Sequence, residues 1–322
     1  MVSTTNLPKI SAITASYTMD RFKDITELLD SIKTQSYRNI ETIVVAERSP
    51  ELAKNIRNYV QEKNYQNVFV LFNEGGWGIS SNRNLGIKQA SGGIVAFVDD
   101  DALLLPNWAE ETAKAYAEDG SIIGLTGPIL PLWEDESMAW FPREFYWIFS
   151  CTYWEWTEPT EVRNGYGTNM SFRREAFDQC GYFKTSLGVK GGWQGPGGEE
   201  TEFSIRVKQQ THKRIVYHPN IKVKHKVYRY RLSNSFIRKR AYWEGYTKAM
   251  FGRLYHSNDE AVLSTEHELL HRIFSRLIPS SLKLLFNQPK VALCRLWVTI
   301  LVLACAATGY LNYNLRFIGR HT

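Results

Sequence analysis

Residues 93–101 read Gly93-Ile94-Val95-Ala96-Phe97-Val98-Asp99-Asp100-Asp101, an apolar run that ends in three consecutive carboxylates. The run is rich in β-branched and aromatic residues, and it predicts a buried strand. Acidic groups packed at the end of such a strand repel one another unless a cation or hydrogen-bond donors hold them. Divalent ions take carboxylate and phosphate oxygens, and open α/β sheets bind ligands at the carboxyl ends of their strands. The junction therefore predicts a metal site for a phosphorylated ligand, with an Asp-rich turn or a helix cap as the alternative.

The first hundred residues alternate between strand patterns and helix patterns. Apolar runs predict three more strands, at residues 10–14, 42–46 and 68–72. Apolar residues at helical spacing predict helices over residues 24–32, 51–63 and 82–89. Strands separated by helices of this length indicate βαβ units and a parallel sheet with covered faces. The predicted fold class is α/β, with a Rossmann-like, mainly parallel central sheet and flanking helices.

Length, charge and cysteine content narrow the class of protein. A chain of 322 residues has room for a large core and one or two domains. The net charge of +6 suits an anionic ligand or an acidic lipid surface better than sequence-specific DNA binding, so no nucleic-acid partner is expected. The four cysteines show no CxxC spacing, which favours reduced thiols. The first residues lack a secretion signal, so the catalytic part is expected on the cytoplasmic side.

The C-terminal fifty residues carry a separate apolar signal. Residues 273–286 are amphipathic, and residues 296–311 carry no charge and are flanked by basic residues on both sides. Sixteen uncharged residues are few for a spanning helix, which needs about 20. A short span, a re-entrant segment, an in-plane anchor and a buried terminal helix therefore all stay open. The flanking positive charges favour attachment to anionic headgroups, and the cell membrane is the expected location.

Several short motifs, in order over roughly residues 9–250, resemble glycosyltransferase family 2. They are Ser11-Ala12-Ile13-Thr14-Ala15-Ser16-Tyr17, Asn73-Glu74-Gly75-Gly76, Ser81-Asn82-Arg83-Asn84-Leu85-Gly86, Asp99-Asp100-Asp101, Gly167-Thr168-Asn169-Met170-Ser171-Phe172-Arg173-Arg174, Gly198-Glu199-Glu200-Thr201-Glu202-Phe203, Val223-Lys224-His225 and Arg240-Ala241-Tyr242-Trp243-Glu244-Gly245. Each motif alone is weak, whereas their shared order is specific. The resemblance implies a GT-A fold and the inverting transfer of a sugar from a nucleotide-diphosphate donor to an acceptor hydroxyl.

The expected organisation follows from this resemblance and from the apolar tail. A glycosyltransferase domain would occupy residues 1–255, with a nucleotide-sugar-binding half over residues 1–101 and an acceptor half over residues 102–255. A polar linker would follow over residues 256–270. Residues 271–322 would then form a helical, membrane-associating tail.

A divalent cation, Mn²⁺ or Mg²⁺, is expected because the leaving diphosphate develops negative charge. Asp101 is the first choice of ligand, and the resemblance places Asp99 near the ribose or a metal-bound water. His225 is the candidate for a further ligand, and an ordinary strand histidine is its alternative. The expected nucleotide-sugar-binding residues are Thr14, Ala15, Tyr17, Glu47, Arg83, Asp99 and Asp100.

The resemblance also implies a catalytic base, because an acceptor hydroxyl is a poor nucleophile at neutral pH. The family's Glu-Asp pair corresponds here to Glu199 and Glu200. The extra methylene of Glu200 moves its carboxylate by ~1.5 Å, and misplacement on the ~1 Å scale costs on the order of 10²-fold in rate. Either the backbone compensates or the two residues exchange roles. Acids that merely stabilise a helix N-terminus are the alternative.

A second departure concerns the nucleobase. The family usually carries Asp-Asp-Gly-Ser where this chain has Ala46-Glu47-Arg48-Ser49. Glu47 keeps an acid near the expected place, and a UDP-sugar is favoured over a GDP-sugar. Acceptor binding is expected at Asn169 and at Trp193, which lies in a Gly-rich segment over residues 188–198.

The acceptor and the function class each have alternatives. The basic stretch over residues 222–240, together with the tail, suggests a lipid-linked saccharide or a polyprenyl phosphate, and a growing surface polysaccharide is the alternative acceptor. A nucleotidyltransferase would show a Gly-rich phosphate loop after the first strand, which residues 14–17 do not form. A catalytically inactive sugar-nucleotide-binding membrane scaffold would explain the departures at Ala46 and Glu200.

Overall fold

The structure is a computed structural model, and it describes residues 7–189, 195–255 and 264–318. Its first half contains β1 (Ile10–Ser16), α1 (Phe22–Lys33), β2 (Ile40–Glu47), α2 (Pro50–Glu62), β3 (Val68–Asn73), α3 (Ile79–Gln89), β4 (Ile94–Phe97), β5 (Ala102–Leu104), α4 (Trp108–Glu118), β6 (Ile122–Thr126) and β7 (Ile129–Trp133). Its second half contains β8 (Thr160–Glu161), β9 (Met170–Arg173), α5 (Arg174–Cys180), α6 (Glu199–Thr211), β10 (Arg214–Tyr217), β11 (Val223–Val227), α7 (Asn234–Leu254), α8 (Ser264–Arg272), α9 (Ile278–Leu284) and α10 (Pro289–Ile318).

The main sheet has eight strands in the order β3-β2-β1-β4-β9-β6-β10-β8. The four strands at one end, β3, β2, β1 and β4, are parallel to one another. β9 is antiparallel to both β4 and β6, β10 is parallel to β6, and β8 is antiparallel to β10. The predicted α/β class and mainly parallel sheet are confirmed, because every one of the predicted early strands takes its place in this sheet.

A smaller sheet has the order β5-β11-β7 and brings distant residues to the end of β4. β5 and β11 pair antiparallel, and their register sets His225 opposite Ala102. Because Ala102 directly follows the three acids, this register places His225 beside Asp101.

The core between the sheet and α6 is built from aromatic rings. Phe203 of α6 is fully buried, and its ring centroid lies 4.9 Å from that of Phe177, with which it stacks, and 4.9 Å from that of Phe172. Phe183 packs on the same ring at 4.7 Å. These contacts fix the helix whose first residues are Glu199 and Glu200.

The chain divides into two compact units. Of the described residues, the first comprises residues 7–130, 154–189 and 198–226, and the second comprises residues 131–153, 195–197, 227–255 and 264–318. The boundaries expected at residues 101, 255 and 270 stay predictions.

The second unit contains the aromatic residues that follow β7 and the helices α7 to α10. Phe141, Phe145 and Phe149 are buried there. Among the described helices, α10 alone is long and apolar enough, over Pro289–Arg316, to cross a membrane by length and composition. Helix α10 is longer than the uncharged run of residues 296–311, since it also includes Arg295 before that run and polar residues after it.

Replacing Phe203 by Ala should lower the free energy of unfolding by about 3–5 kcal/mol, because it leaves a cavity among packed rings. Denaturant unfolding followed by circular dichroism measures this loss. Phe69→Ala is the matched control, since that ring is 42% exposed, and it should cost less than about 1 kcal/mol. Equal losses for the two variants would contradict the assigned role of Phe203.

Candidate active site

Three potential metal ligands meet at the carboxyl end of β4. Asp99, Asp101 and His225 each offer a ligand atom, and these atoms lie within 4.8 Å of one another. His225 Nε2 lies 2.8 Å from Asp101 Oδ1, and the guanidinium of Arg21 donates to Asp101 Oδ2 at 2.7 Å. Asp101 and His225 are both buried. Two carboxylates and one imidazole form a donor set that suits a divalent cation.

The middle acid of the run has a different environment. Asp100 accepts a hydrogen bond from Ser16 Oγ at 2.5 Å, at the end of β1. Burial, together with the negative charge of Asp101, raises the pKa of Asp100 to about 7. Asp100 lies in a turn in which the backbone N–H of Ala102 donates to the Asp99 carbonyl oxygen at 3.1 Å, and it is not one of the three clustered ligands.

Arg83 of α3 links the acidic run to α6. Its guanidinium donates to Glu199 Oε1 at 2.7 Å, and its Nη2 lies 3.8 Å from Asp99 Oδ1. The side chain of Arg83 is only 6% exposed, so this cation is screened little by water. Gly167 lies directly against the guanidinium, where a Cβ would collide with it. Thr168, the next residue, donates its hydroxyl to Asp99 Oδ2.

Glu199 and Glu200 begin α6, and their carboxyl groups differ. Glu199 is buried and bound to Arg83. Glu200 Oε2 is buried as well, and no group in the described part of the chain forms a hydrogen bond with it. Burial and the negative charge of Glu199 raise the pKa of Glu200 to about 8. The pair therefore combines a charge held by an arginine with a carboxyl group whose pKa lies near neutrality.

Four of the residues predicted to bind the nucleotide sugar lie at or just beyond the ends of β1 and β2, namely Thr14, Ala15, Tyr17 and Glu47. Thr14 is buried, and Tyr17, just beyond β1, is 44% exposed. Glu47 ends β2, where its carboxylate accepts hydrogen bonds from the Asn82 side chain and from the backbone N–H of Gly78 at 3.2 Å. Arg48 Nε lies 3.0 Å from Glu47 Oε1. The carboxylate of Glu47 thus fastens the start of α3 to β2.

Of the two residues predicted to bind the acceptor, Asn169 and Trp193, only Asn169 lies in the described part of the chain. The side-chain amide of Asn169 is buried, accepts a hydrogen bond from Trp108 Nε1 at 2.9 Å and donates to the Ile221 carbonyl oxygen at 2.8 Å. Asn169, which directly precedes β9, is therefore hydrogen-bonded to α4 and to the segment just before β11. Trp193 lies outside the described residues.

Two residues of the site were not predicted. Thr168 belongs to the motif over residues 167–174 and directly follows Gly167, and this position could have identified it as a site residue. Arg21, which binds Asp101, follows the first strand by five residues and carries no pattern that separates it from a surface arginine.

Comparison with known proteins supports one family. The family model described as glycosyl transferase family 2 matches residues 11–181, more than half of the chain. The chain is 29% identical over 304 residues to the glucosyl-dolichyl phosphate glucuronosyltransferase of Haloferax volcanii, covering 94% of each protein.

Two solved glycosyltransferases share the fold. The mannosyltransferase PcManGT from Pyrobaculum calidifontis, in complex with GDP-Man and Mn²⁺, has a TM-score of 0.63 at 19% identity and covers 96% of this chain and 88% of that one. GalNAc-T7 with UDP, GalNAc and Mn²⁺ has a TM-score of 0.57 at 17% identity and covers 84% of this chain and 58% of that one. The fold is GT-A, and the chain belongs to glycosyltransferase family 2.

Proposed function

We propose that this glycosyltransferase moves a sugar from a nucleotide-diphosphate donor to an acceptor hydroxyl by a single, inverting displacement. The observation that carries this proposal is the connection, through buried Arg83, of a cluster of potential metal ligands to a carboxyl group with a raised pKa. The two parts match the two demands of the reaction, which are charge neutralisation on the leaving diphosphate and removal of a proton from the acceptor.

Asp99, Asp101 and His225 would hold the cation, Mn²⁺ or Mg²⁺. Bound there, the ion would neutralise the charge that develops on the leaving diphosphate. Arg21 and Thr168 position these ligands, because each donates a hydrogen bond to one of the two carboxylates. Two structural neighbours, PcManGT and GalNAc-T7, are complexes with Mn²⁺, which supports this choice of ion.

Glu200 is the proposed base, and Glu199 is its positioning neighbour. Glu199 is bound by Arg83, whereas Glu200 has a buried oxygen that accepts no hydrogen bond from the described residues. The acceptor hydroxyl would transfer its proton to this oxygen as the acceptor oxygen bonds to the anomeric carbon and the bond from that carbon to the leaving diphosphate oxygen breaks. A pKa near neutrality suits this task, since the base must be deprotonated before reaction and must still hold a proton afterwards.

The proposed acceptor is a lipid-linked saccharide, reached at the cytoplasmic side of the cell membrane. The name of the Haloferax volcanii relative describes a sugar carried on dolichyl phosphate, and the match covers 94% of this chain. A UDP-sugar is the proposed donor, and a surface polysaccharide is the alternative acceptor. The apolar helix α10 supports an association with the membrane.

A thermal-shift panel of UDP-, GDP-, dTDP- and CMP-sugars tests the donor site directly. We expect one nucleotide sugar to raise the melting temperature by several degrees only when Mn²⁺ or Mg²⁺ is present, because a ligand at 100 times its Kd adds about 2.7 kcal/mol to the folded state. Asp101→Asn should abolish the metal-dependent shift, and the exposed Asp178→Asn should retain it. A panel with no shift at all would favour an inactive protein over the proposed enzyme.

Substitution separates the two glutamates. Glu200→Gln should keep the metal-dependent donor shift and lose about 10²- to 10⁴-fold in transfer rate, as expected when a general base is removed. The measurement is release of the nucleoside diphosphate in the presence of acceptor. Turnover that survives in Glu200→Gln but disappears in Glu199→Gln would assign the base to Glu199.

The raised pKa of Glu200 predicts the pH dependence of the reaction. Only the deprotonated base accepts a proton, so kcat/KM should rise with pH up to about 8, where half of Glu200 is deprotonated, and level off about one pH unit higher. An unperturbed glutamate, with a pKa of 4.5, would already be deprotonated across this range. A flat profile between pH 6 and pH 8.5 would therefore contradict the role given to Glu200.

A further inference from the structure

One face of α10 exposes large apolar side chains along most of the helix. Leu293, Trp297, Ile300, Leu311 and Leu315 are between 53% and 67% exposed. Their spacings of 4, 7, 18 and 22 residues from the first place them on one side of a helix with 3.6 residues per turn. At 1.5 Å per residue this apolar stripe is about 33 Å long.

The opposite face of α10 packs tightly on α7. Gly245 of α7 lies against the carbonyl of Ala306, and Gly309 of α10 lies against the carbonyl of Tyr242, so neither glycine leaves room for a Cβ. The backbones of the two helices are therefore in direct contact, as small residues permit.

The two helices stay together over their whole shared length. Near their starts, Trp297 Nε1 donates to Asn234 Oδ1 at 3.4 Å, and near their ends Arg253 Nε donates to Asn314 Oδ1 at 2.9 Å. The two contacts occur in the same order along both helices, so α7 and α10 run parallel, side by side.

Helix α7, on which α10 packs, is charged, and its charges determine how the two helices can contact a membrane. The charged residues of α7 are Arg238, Lys239, Arg240, Glu244, Lys248 and Arg253. If α10 crossed a bilayer, α7 would enter the hydrocarbon with it, where each charged side chain is strongly disfavoured. Arg240 also donates to the Ile148 carbonyl oxygen at 3.2 Å, which binds α7 to the aromatic part of its own unit.

The charge around the stripe has one sign. From residue 269 to the end of the sequence there are seven Lys and Arg residues and no Asp or Glu. Lys290 and Arg316 are exposed at the two ends of the stripe. The preceding amphipathic segment adds exposed Phe274 (63%) and Phe286 (90%) beside exposed basic residues.

We infer that α10 does not span the membrane but lies in its plane, with the apolar stripe in the headgroup region of an anionic lipid bilayer and α7 on the side away from the lipid. Residues 273–286 extend the same contact. Surface-bound helices of this kind combine buried apolar area with electrostatic attraction to anionic lipids. This inference deepens the proposed function, and it rests on that function only for the lipid-linked nature of the acceptor.

Vesicle binding tests the stripe. The full chain should sediment with phosphatidylglycerol vesicles and much less with phosphatidylcholine vesicles. Ile300→Asp should lower the apparent partition coefficient for phosphatidylglycerol about tenfold, which corresponds to about 1.4 kcal/mol. Leu130→Asp is the matched control, because Leu130 is 40% exposed and lies outside α10, and its binding should equal that of the unchanged chain. Equal binding by Ile300→Asp and the unchanged chain would overturn the inference.

Topology distinguishes an in-plane helix from a spanning one. The full chain, carrying one epitope tag at each end, is expressed in cells, and sealed inverted membrane vesicles are treated with protease. An in-plane helix leaves both tags on the same side, so both should be cleaved. Protection of the C-terminal tag alone would show a span and overturn the inference. Donor binding by Ile300→Asp should be unchanged in the thermal-shift assay, so failure of docking and failure of the proposed enzymatic function remain distinguishable.

Discussion

Electrostatic repulsion among buried carboxylates is the constraint around which the first unit is organised. Three aspartates follow β4 and two glutamates begin α6, and Arg83 contacts both groups, so several carboxyl groups lie close together. Buried charges are tolerated only when they are paired or neutralised. The structure uses both solutions, since Arg21, Arg83 and His225 contact three of the acids, while Asp100 and Glu200 have raised pKa values.

Arg83 has the central role among these cations because it reaches both groups of acids. Its charge falls between Glu199 and Asp99, and the surrounding backbone is shaped to accept it, with Gly167 pressed against the guanidinium. A residue predicted to contact the nucleotide thus lies within the protein as the connection between two elements of the site. In the proposed reaction, the group that accepts the proton and the groups that hold the cation would therefore be connected through this one side chain.

The sequence predicted those parts of the fold that depend on local pattern. The apolar runs of β1 to β4 and the helices between them follow from periodicity, and their bounds differ from the predicted ones by three residues at most. The partners of the acids could not be predicted this way. Arg21 meets Asp101 across 80 positions and His225 meets it across 124, and both contacts follow from sheet order and strand register. Glu47 shows the same limit, because its hydrogen bonds to the start of α3 are visible only once β2 and α3 are placed together.

The tail shows why hydropathy alone left several membrane arrangements open. The length and the apolar composition of α10 are properties of one helix, and both are sufficient for that helix to span a membrane. Whether a helix enters the hydrocarbon depends also on what it brings along, and here the close contact at Gly245 and Gly309 attaches it to a charged neighbour. Gly309 looks like an ordinary part of an apolar segment, yet its close contact with α7 determines how α10 is arranged. An in-plane pair of helices also agrees with the proposed lipid-linked acceptor, whose reacting sugar would lie outside the hydrocarbon, where water and ionised side chains would be available for the transfer.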